Sequence, residues 1–131
     1  MILPCLYIAN SPDRGRGVFT SEFLTAGTVI EISPVIVLTG KDRKLIDQTR
    51  LHDYLFLWGG DESECCMALG YISIYNHDYH SNAEYEMDFS ARTIRIKLVS
   101  DIKRGAEIFI NYNGTWNELK PVWFDIGATK K

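Results

Sequence analysis

Between Glu84 and Leu98 the chain alternates with a period of two. Tyr85, Met87 and Phe89 stand among Glu84, Glu86 and Asp88, and beyond Ser90-Ala91-Arg92 the residues Ile94, Ile96 and Leu98 enclose Arg95 and Lys97. Successive side chains of an extended strand point to opposite faces, so this stretch predicts a β-hairpin with one apolar face. Its other face sets acids on one strand beside bases on the next, and cross-strand pairing accounts for those charges better than an acidic groove does.

The same reading extends to the rest of the chain. Leu3 to Ala9 reads as a first strand, Asn10 to Gly17 as a turn-rich stretch with Pro12, Gly15 and Gly17, and Val18 to Phe23 as extended again. Thr28 to Leu38 is rich in β-branched residues and predicts a longer strand. Lys41 to Asp53 is charged, with Leu45, Ile46 and Leu51 as its apolar points, and suits a short helix. Tyr54 to Trp58 is an apolar run, and Glu62 to Asn76 reads as a loop that ends in one or two helical turns. Asp101 to Gly105 is a turn, and Glu107 to Tyr112 is the last clear strand. Many short strands with one partly helical insert make the fold mainly β.

With 131 residues and no repeat or linker, a single domain over 1–131 is expected. No apolar run approaches the ~20 residues of a membrane span. The start, Met1-Ile2-Leu3-Pro4-Cys5, lacks the basic and apolar regions of a signal peptide, so a soluble, cytoplasmic protein is expected. Three cysteines, two of them adjacent at 65 and 66, make a poor disulfide framework and offer no Cys-x-x-Cys zinc spacing. A net charge of −3 disfavours a general nucleic-acid binder and suits a cationic partner such as a lysine-rich peptide. The tail from Trp116 to Ile126 is aromatic enough to dock on the body; a homodimer through it would explain the same residues.

Three short constellations carry the chemistry. Gly15-Arg16-Gly17 reads as a turn, or as bare backbone that a ligand can approach closely; without a third glycine and a following helix it is no dinucleotide fingerprint. Asn76-His77 closes an apolar stretch, and such half-buried amide and imidazole groups require partners, from neighbouring backbone or from a ligand. Tyr112 ends the last strand, where a tyrosine commonly buries its ring and wets its hydroxyl. His77 and His80 around Asp78 raise a metal site, but the third and fourth ligands are missing. Neither a nucleophile elbow nor a Walker-type phosphate loop occurs.

The order and spacing of these pieces resemble the SET-domain protein lysine methyltransferases. Arg14-Gly15-Arg16-Gly17-Val18-Phe19 and Gly27-Thr28-Val29-Ile30-Glu31 are similar to the opening motif of that family. Tyr71 to Asn82 is similar to its Arg-Phe-x-Asn-His-Ser-Cys-x-Pro-Asn segment, and Ile102 to Tyr112 to its Gly-Glu-Glu-Leu-x-x-Asp-Tyr segment. Residues 41–70 correspond to the family's variable insert. The sequence departs from the pattern at Asp78-Tyr79, where the family has Ser-Cys, at Ser81 in place of Pro, and at Ala106 in place of the first Glu.

The resemblance implies a β-clip fold of small sheets, in which the Asn-His segment and the terminal Tyr strand meet as a pseudoknot. It implies S-adenosyl-L-methionine as cofactor, contacted by Arg16, Gly17, Asn76, His77 and Tyr112, with Tyr112 as the catalytic tyrosine. It implies a lysine-containing protein or basic peptide as substrate, with no metal, reaching the cofactor through a narrow channel. Composition suggests Tyr54, Tyr75 and Trp116 as aromatic walls of that channel. Ile110 stands where the family controls the number of methyls added, and within the C-terminal tail 113–131 the aromatic part, Trp116 to Phe124, would close the channel. The alternative reading is a SET-fold module that binds a peptide without catalysis.

Overall fold

A computed structural model describes residues 1–12, 14–59 and 64–112. Its strands are β1 (Leu6–Ser11), β2 (Gly15–Thr20), β3 (Val29–Leu38), β4 (Leu55–Trp58), β5 (Glu64–Ala68), β6 (Asn76–His77), β7 (Ala83–Asp88), β8 (Thr93–Leu98) and β9 (Glu107–Ile110). The helix α1 (Gly40–Ile46) and two 3-10 turns, Arg50–Tyr54 and Ile72–Ile74, complete the described elements. The mainly β fold expected from the sequence is the one observed.

The strands hydrogen-bond in the order β1-β2-β9-β7-β8-β3-β5-β4, with β6 beside β9. The path curls back on itself. Ile2 bridges to Glu31, the N-terminal ammonium donates to the Ile32 carbonyl at 2.7 Å, and Leu3 N–H donates to the Ile30 carbonyl, so the residues leading into β1 return to β3. Inside the curl lies a core that includes Val18, Ile30, Ile72, Tyr75, Ile94, Ile96, Leu98, Ile108 and Ile110, all essentially inaccessible to water.

The hairpin of β7 and β8 forms in the register that the alternation predicts. Glu84 stands opposite Lys97 and Glu86 opposite Arg95, and the Arg95 guanidinium meets Glu86 at 3.1 Å. Such exposed pairs contribute little stability, about 0–1 kcal/mol, but they fix the register. The insert holds α1, capped by Thr39 in a capping box with Asp42, and the hairpin of β4 and β5.

Three expectations are corrected. Asn10 to Gly17 is not mainly turn: residues 10–11 and 15–17 are paired strand, with Ser11 opposite Gly15. The strand expected over Leu3–Ala9 runs later, from Leu6 to Ser11. Residues 64–68, read as loop, form β5, because Cys65, Cys66 and Ala68 bury themselves against β3 and β4. The helical turn foreseen before Asn76 is present as Ile72–Ile74.

The long strand β3 serves two neighbours. Val29–Pro34 pairs with β8 and Val35–Leu38 with β5, with Pro34 at the changeover. A bulge between Val29 and Glu31 sets two β3 residues against one step of β8. After it the pattern of faces inverts: Glu31 and Ser33 are buried, while Ile32 and Ile36 are 38% and 51% exposed.

Candidate active site

Strand β9 is the organising element. It pairs antiparallel with β2 (Val18 opposite Ile108), parallel with β6 (Asn76 opposite Phe109, His77 opposite Ile110) and touches β7 through Ala83 and Ile110. The two-residue strand β6 is too short to hold itself there. Asn82 supplies the missing ladder: its Oδ1 accepts from Phe109 N–H at 2.8 Å and its Nδ2 donates to the Glu107 carbonyl at 3.0 Å. Asp78 N–H donates to the Ile110 carbonyl, and buried Asn111 donates to the Tyr79 carbonyl at 3.3 Å. The motifs at 76–82 and 107–112 are thereby brought together, as the resemblance implies.

Asn76 is almost fully buried and directs its amide at two acceptors, the Arg16 carbonyl at 3.0 Å and Glu107 Oε2 at 2.8 Å. Both partners accept, so the NH₂ group must face them, and the Oδ1 atom keeps its acceptor capacity. The other carboxylate oxygen of Glu107 accepts from Ser11 Oγ. Gly17 lies under this contact: a Cβ there would collide with Glu107 Oε2 and crowd Asn76 Nδ2 at 2.8 Å. A side chain at position 17 would push the amide and the carboxylate away from the β2 backbone they cross. The side chain of Arg16 is exposed beside it.

His77 and Tyr112 form the second half. The Tyr112 N–H donates to His77 Nδ1 at 3.0 Å, so that nitrogen carries the lone pair, and the two rings lie 5.2 Å apart. The His77 carbonyl accepts from Arg14 Nη1 at 3.2 Å. The Arg14 guanidinium also lies 4.8 Å over the Phe109 ring and 3.8 Å from Asp78. Tyr112 donates its hydroxyl to the Tyr75 carbonyl at 2.8 Å, and its ring meets Phe56 edge-on at 6.1 Å. Tyr85 donates to the Tyr112 carbonyl at 3.0 Å, and burial pushes the Tyr85 phenol up to about 12, so it remains a donor.

Tyr75 itself is turned inward. Its ring is fully buried and its hydroxyl donates to Glu31 Oε1 at 2.8 Å, so toward Tyr112 it presents its carbonyl. The opposite oxygen of Glu31 accepts from Tyr71 N–H at 2.8 Å and Ser33 Oγ at 2.7 Å. Gly70 makes room, since a Cβ there would strike Glu31 Oε2 and Ser33 Oγ. Desolvation raises the Glu31 carboxyl above its ordinary value, against the opposing effect of its three donors. Burial, and then the Glu31 carboxylate, hold the Tyr75 phenol well above its ordinary value.

The structure thus gathers Arg16, Gly17, Asn76, His77 and Tyr112 around β9, with Ile110 buried in register with His77. Tyr54 is half-buried at the end of its 3-10 turn, where its carbonyl accepts from Ser73 Oγ at 3.2 Å. Trp116 and the tail 113–131 lie outside the described residues. Glu107, Asn82, Arg14 and Glu31 carry much of the geometry but are not singled out by residue type. Among the described residues no group of three or more His, Cys, Asp or Glu is arranged to hold a metal ion, and no helix is long and apolar enough to cross a membrane.

The family model of the SET domain matches residues 15–113. The chain is 35% identical over 125 residues to the histone-lysine N-methyltransferase of Schizosaccharomyces pombe specific for H3 lysine-37, a match that covers 95% of this chain and 80% of that protein. It is similar in structure to a Plasmodium falciparum protein assigned as a histone methyltransferase, with a TM-score of 0.65, 27% identity and coverage of 89% of this chain and all of that one. The fold also matches part of the Polycomb Repressive Complex 2 of Chaetomium thermophilum bound to GSK126, with a TM-score of 0.67, 20% identity and coverage of 82% of this chain and 15% of that one.

Proposed function

The chain belongs to the SET-domain family of protein lysine methyltransferases, and on that premise we propose that it uses S-adenosylmethionine to methylate a lysine of a histone tail or a similarly basic peptide. The observation that carries the reading is the junction itself. Two motifs far apart in sequence meet through β6 and β9, with the Tyr112 hydroxyl bound to the carbonyl just before Asn76.

The residues present fit the cofactor. A cationic ammonium with three donors suits the unused Oδ1 of Asn76. A carboxylate suits the exposed guanidinium of Arg16. Bound S-adenosylmethionine supplies a methyl carbon on a positive sulfur, and the new bond to the lysine nitrogen replaces the bond to that sulfur. The nitrogen must arrive neutral and in line, so the protein's contribution is placement. A nearby positive charge lowers the lysine's pKa and favours the neutral amine.

Tyr112 is the residue that fixes the placement. Its hydroxyl oxygen is locked by the Tyr75 carbonyl, its amide by His77 and its carbonyl by Tyr85. A backbone carbonyl such as that of Tyr75 also accepts weak C–H···O contacts from a methyl group. The histone substrate rests on the activity of the Schizosaccharomyces pombe relative and accords with this chain's net charge of −3.

Calorimetric titration with S-adenosylmethionine tests the cofactor. Wild type should bind, and Asn76→Ala should weaken binding roughly ten- to a hundredfold, the worth of a buried hydrogen bond to a charged group. A folded wild type that takes up no cofactor, with and without histone H3 peptide, would overturn the reading.

A further inference from the structure

Glu31 is an acid with no solvent exposure, set within strand β3 and remote from the junction of β6 and β9 in sequence. An ionisable group buried from water must be compensated by partners. Here the compensation is elaborate. A bulge in β3 turns Glu31 inward, Gly70 gives up its side chain to admit it, and Ser33, the Tyr71 N–H and the Tyr75 hydroxyl all donate to it.

The far end of that arrangement is the Tyr75 backbone. Tyr75 follows the 3-10 turn Ile72–Ile74 with φ −56° and ψ 130°, and its carbonyl receives the Tyr112 hydroxyl. The residue after it enters β6 opposite Phe109. The pairing of β6 anchors the carbonyl from the C-terminal side. From the N-terminal side the anchors are the Tyr71 N–H and the Tyr75 side chain, and both end on the two oxygens of Glu31. One carboxylate therefore clamps both ends of the segment 71–75.

We propose that Glu31 is a positioning residue for methyl transfer: by clamping Tyr71 and Tyr75 it sets the direction of the Tyr75 carbonyl, and through that carbonyl the hydroxyl of Tyr112. Glu31 touches neither cofactor nor substrate. The inference rests on the assignment of Tyr112 as the tyrosine that orients the reacting groups. It predicts an effect on the rate of the chemical step, separate from binding, because a small misplacement of a group that orients reactants costs rate even where affinity is kept.

The test compares wild type with Tyr75→Phe, Glu31→Leu and Glu31→Gln, each assayed on histone H3 peptide well below its melting temperature. Wild-type turnover and calorimetric binding of S-adenosylmethionine are measured alongside. Tyr75→Phe keeps the ring and removes one arm of the clamp; kcat should fall about tenfold while the cofactor Kd and the peptide KM stay within about twofold. Glu31→Leu should fall at least as far, and the double variant Glu31→Leu/Tyr75→Phe no further than Glu31→Leu alone, since the two act as one unit.

Glu31→Gln can present its oxygen to Tyr71 and Ser33 and its NH₂ to the Tyr75 oxygen, so it should restore kcat to within about threefold of wild type. If the variants fold, melt lower and keep wild-type kcat, Glu31 is structural and the proposal fails. It also fails if Kd or KM changes in step with kcat, or if Glu31→Gln is as slow as Glu31→Leu. Should Glu31→Leu not fold, Tyr75→Phe and Glu31→Gln decide alone. An inactive wild type, by contrast, would sink the methyltransferase reading and not this relay in particular.

Discussion

The backbone N–H of Tyr112 donates to Nδ1 of His77 at 3.0 Å across a separation of 35 residues. That bond ties the chain just beyond β9 to the Asn-His pair and assigns the imidazole proton to Nε2. Together with the bond from the Tyr112 hydroxyl to the Tyr75 carbonyl, it holds the tyrosine at both ends, main chain and side chain. A group held this way arrives at the reaction already oriented, which is where an enzyme that works by placement gains most of its rate.

Gly17→Ala should disable the cofactor side of the junction without unfolding the sheet. The added methyl would displace the Glu107 carboxylate and the Asn76 amide from each other. Binding of S-adenosylmethionine should weaken by roughly tenfold or more, the loss expected when a charge-assisted hydrogen bond is broken. Calorimetric titration, with circular dichroism to verify the fold, checks this; unchanged affinity would mean that the Asn76–Glu107 contact plays no part in the site.

Product multiplicity should follow from Ile110. An aliphatic side chain in that position cannot hold a water by hydrogen bonding, which leaves room for a methylated amine to remain in the site. Mass spectrometry of histone H3 peptide after prolonged incubation should therefore find di- or trimethyl-lysine. A product that stops at one methyl with excess cofactor would contradict it.

Stability should depend on pH through Glu31. Burial raises its carboxyl above the ordinary 4.5, so the folded state holds the proton more tightly than the unfolded chain does. The resulting stabilisation is complete below that ordinary value and is lost as pH rises through the raised native one. Glu31→Gln lacks this titration. In paired thermal melts from pH 4 upward, wild type should lose stability relative to Glu31→Gln across that window and then run parallel to it. Curves parallel throughout would show that Glu31 titrates normally.

The thiols should separate by reactivity. Burial pushes Cys66 up to about 12 and raises Cys65 as well, whereas Cys5 is half-exposed. The thiolate is the reactive form, so with Ellman's reagent at neutral pH one thiol should react quickly and two only on unfolding. Three equally fast thiols would contradict the packing of β5.

Much of this was legible in the sequence, and what was not has identifiable causes. The hairpin of β7 and β8 announced itself because its two faces differ in polarity at every step. The motif residues Gly17, Asn76, His77 and Tyr112 stood out by order and spacing, and the pairing of β9 with β2 and β6 is what draws their segments together. Strand β5 was hidden because Glu64-Cys65-Cys66-Met67-Ala68 is buried on both faces in its middle and shows no alternation. Glu31 was hidden for a subtler reason: the bulge in β3 inverts the faces after Ile30, so periodicity alone would have sent the acid outward and Ile32 inward. Asn82 was visible as a motif residue, but its substitution for a backbone ladder is a long-range contact that spacing does not disclose.

The most direct test of the account is methyl transfer itself, measured by mass spectrometry on histone H3 with S-adenosylmethionine, for wild type and Tyr112→Phe. Wild type should add methyl groups to a lysine. Tyr112→Phe, which keeps the ring and loses only the hydroxyl bound to Tyr75, should bind cofactor within about twofold yet transfer on the order of a hundredfold more slowly. A wild type that binds cofactor and histone but transfers nothing, or a Tyr112→Phe variant as fast as wild type, would contradict it.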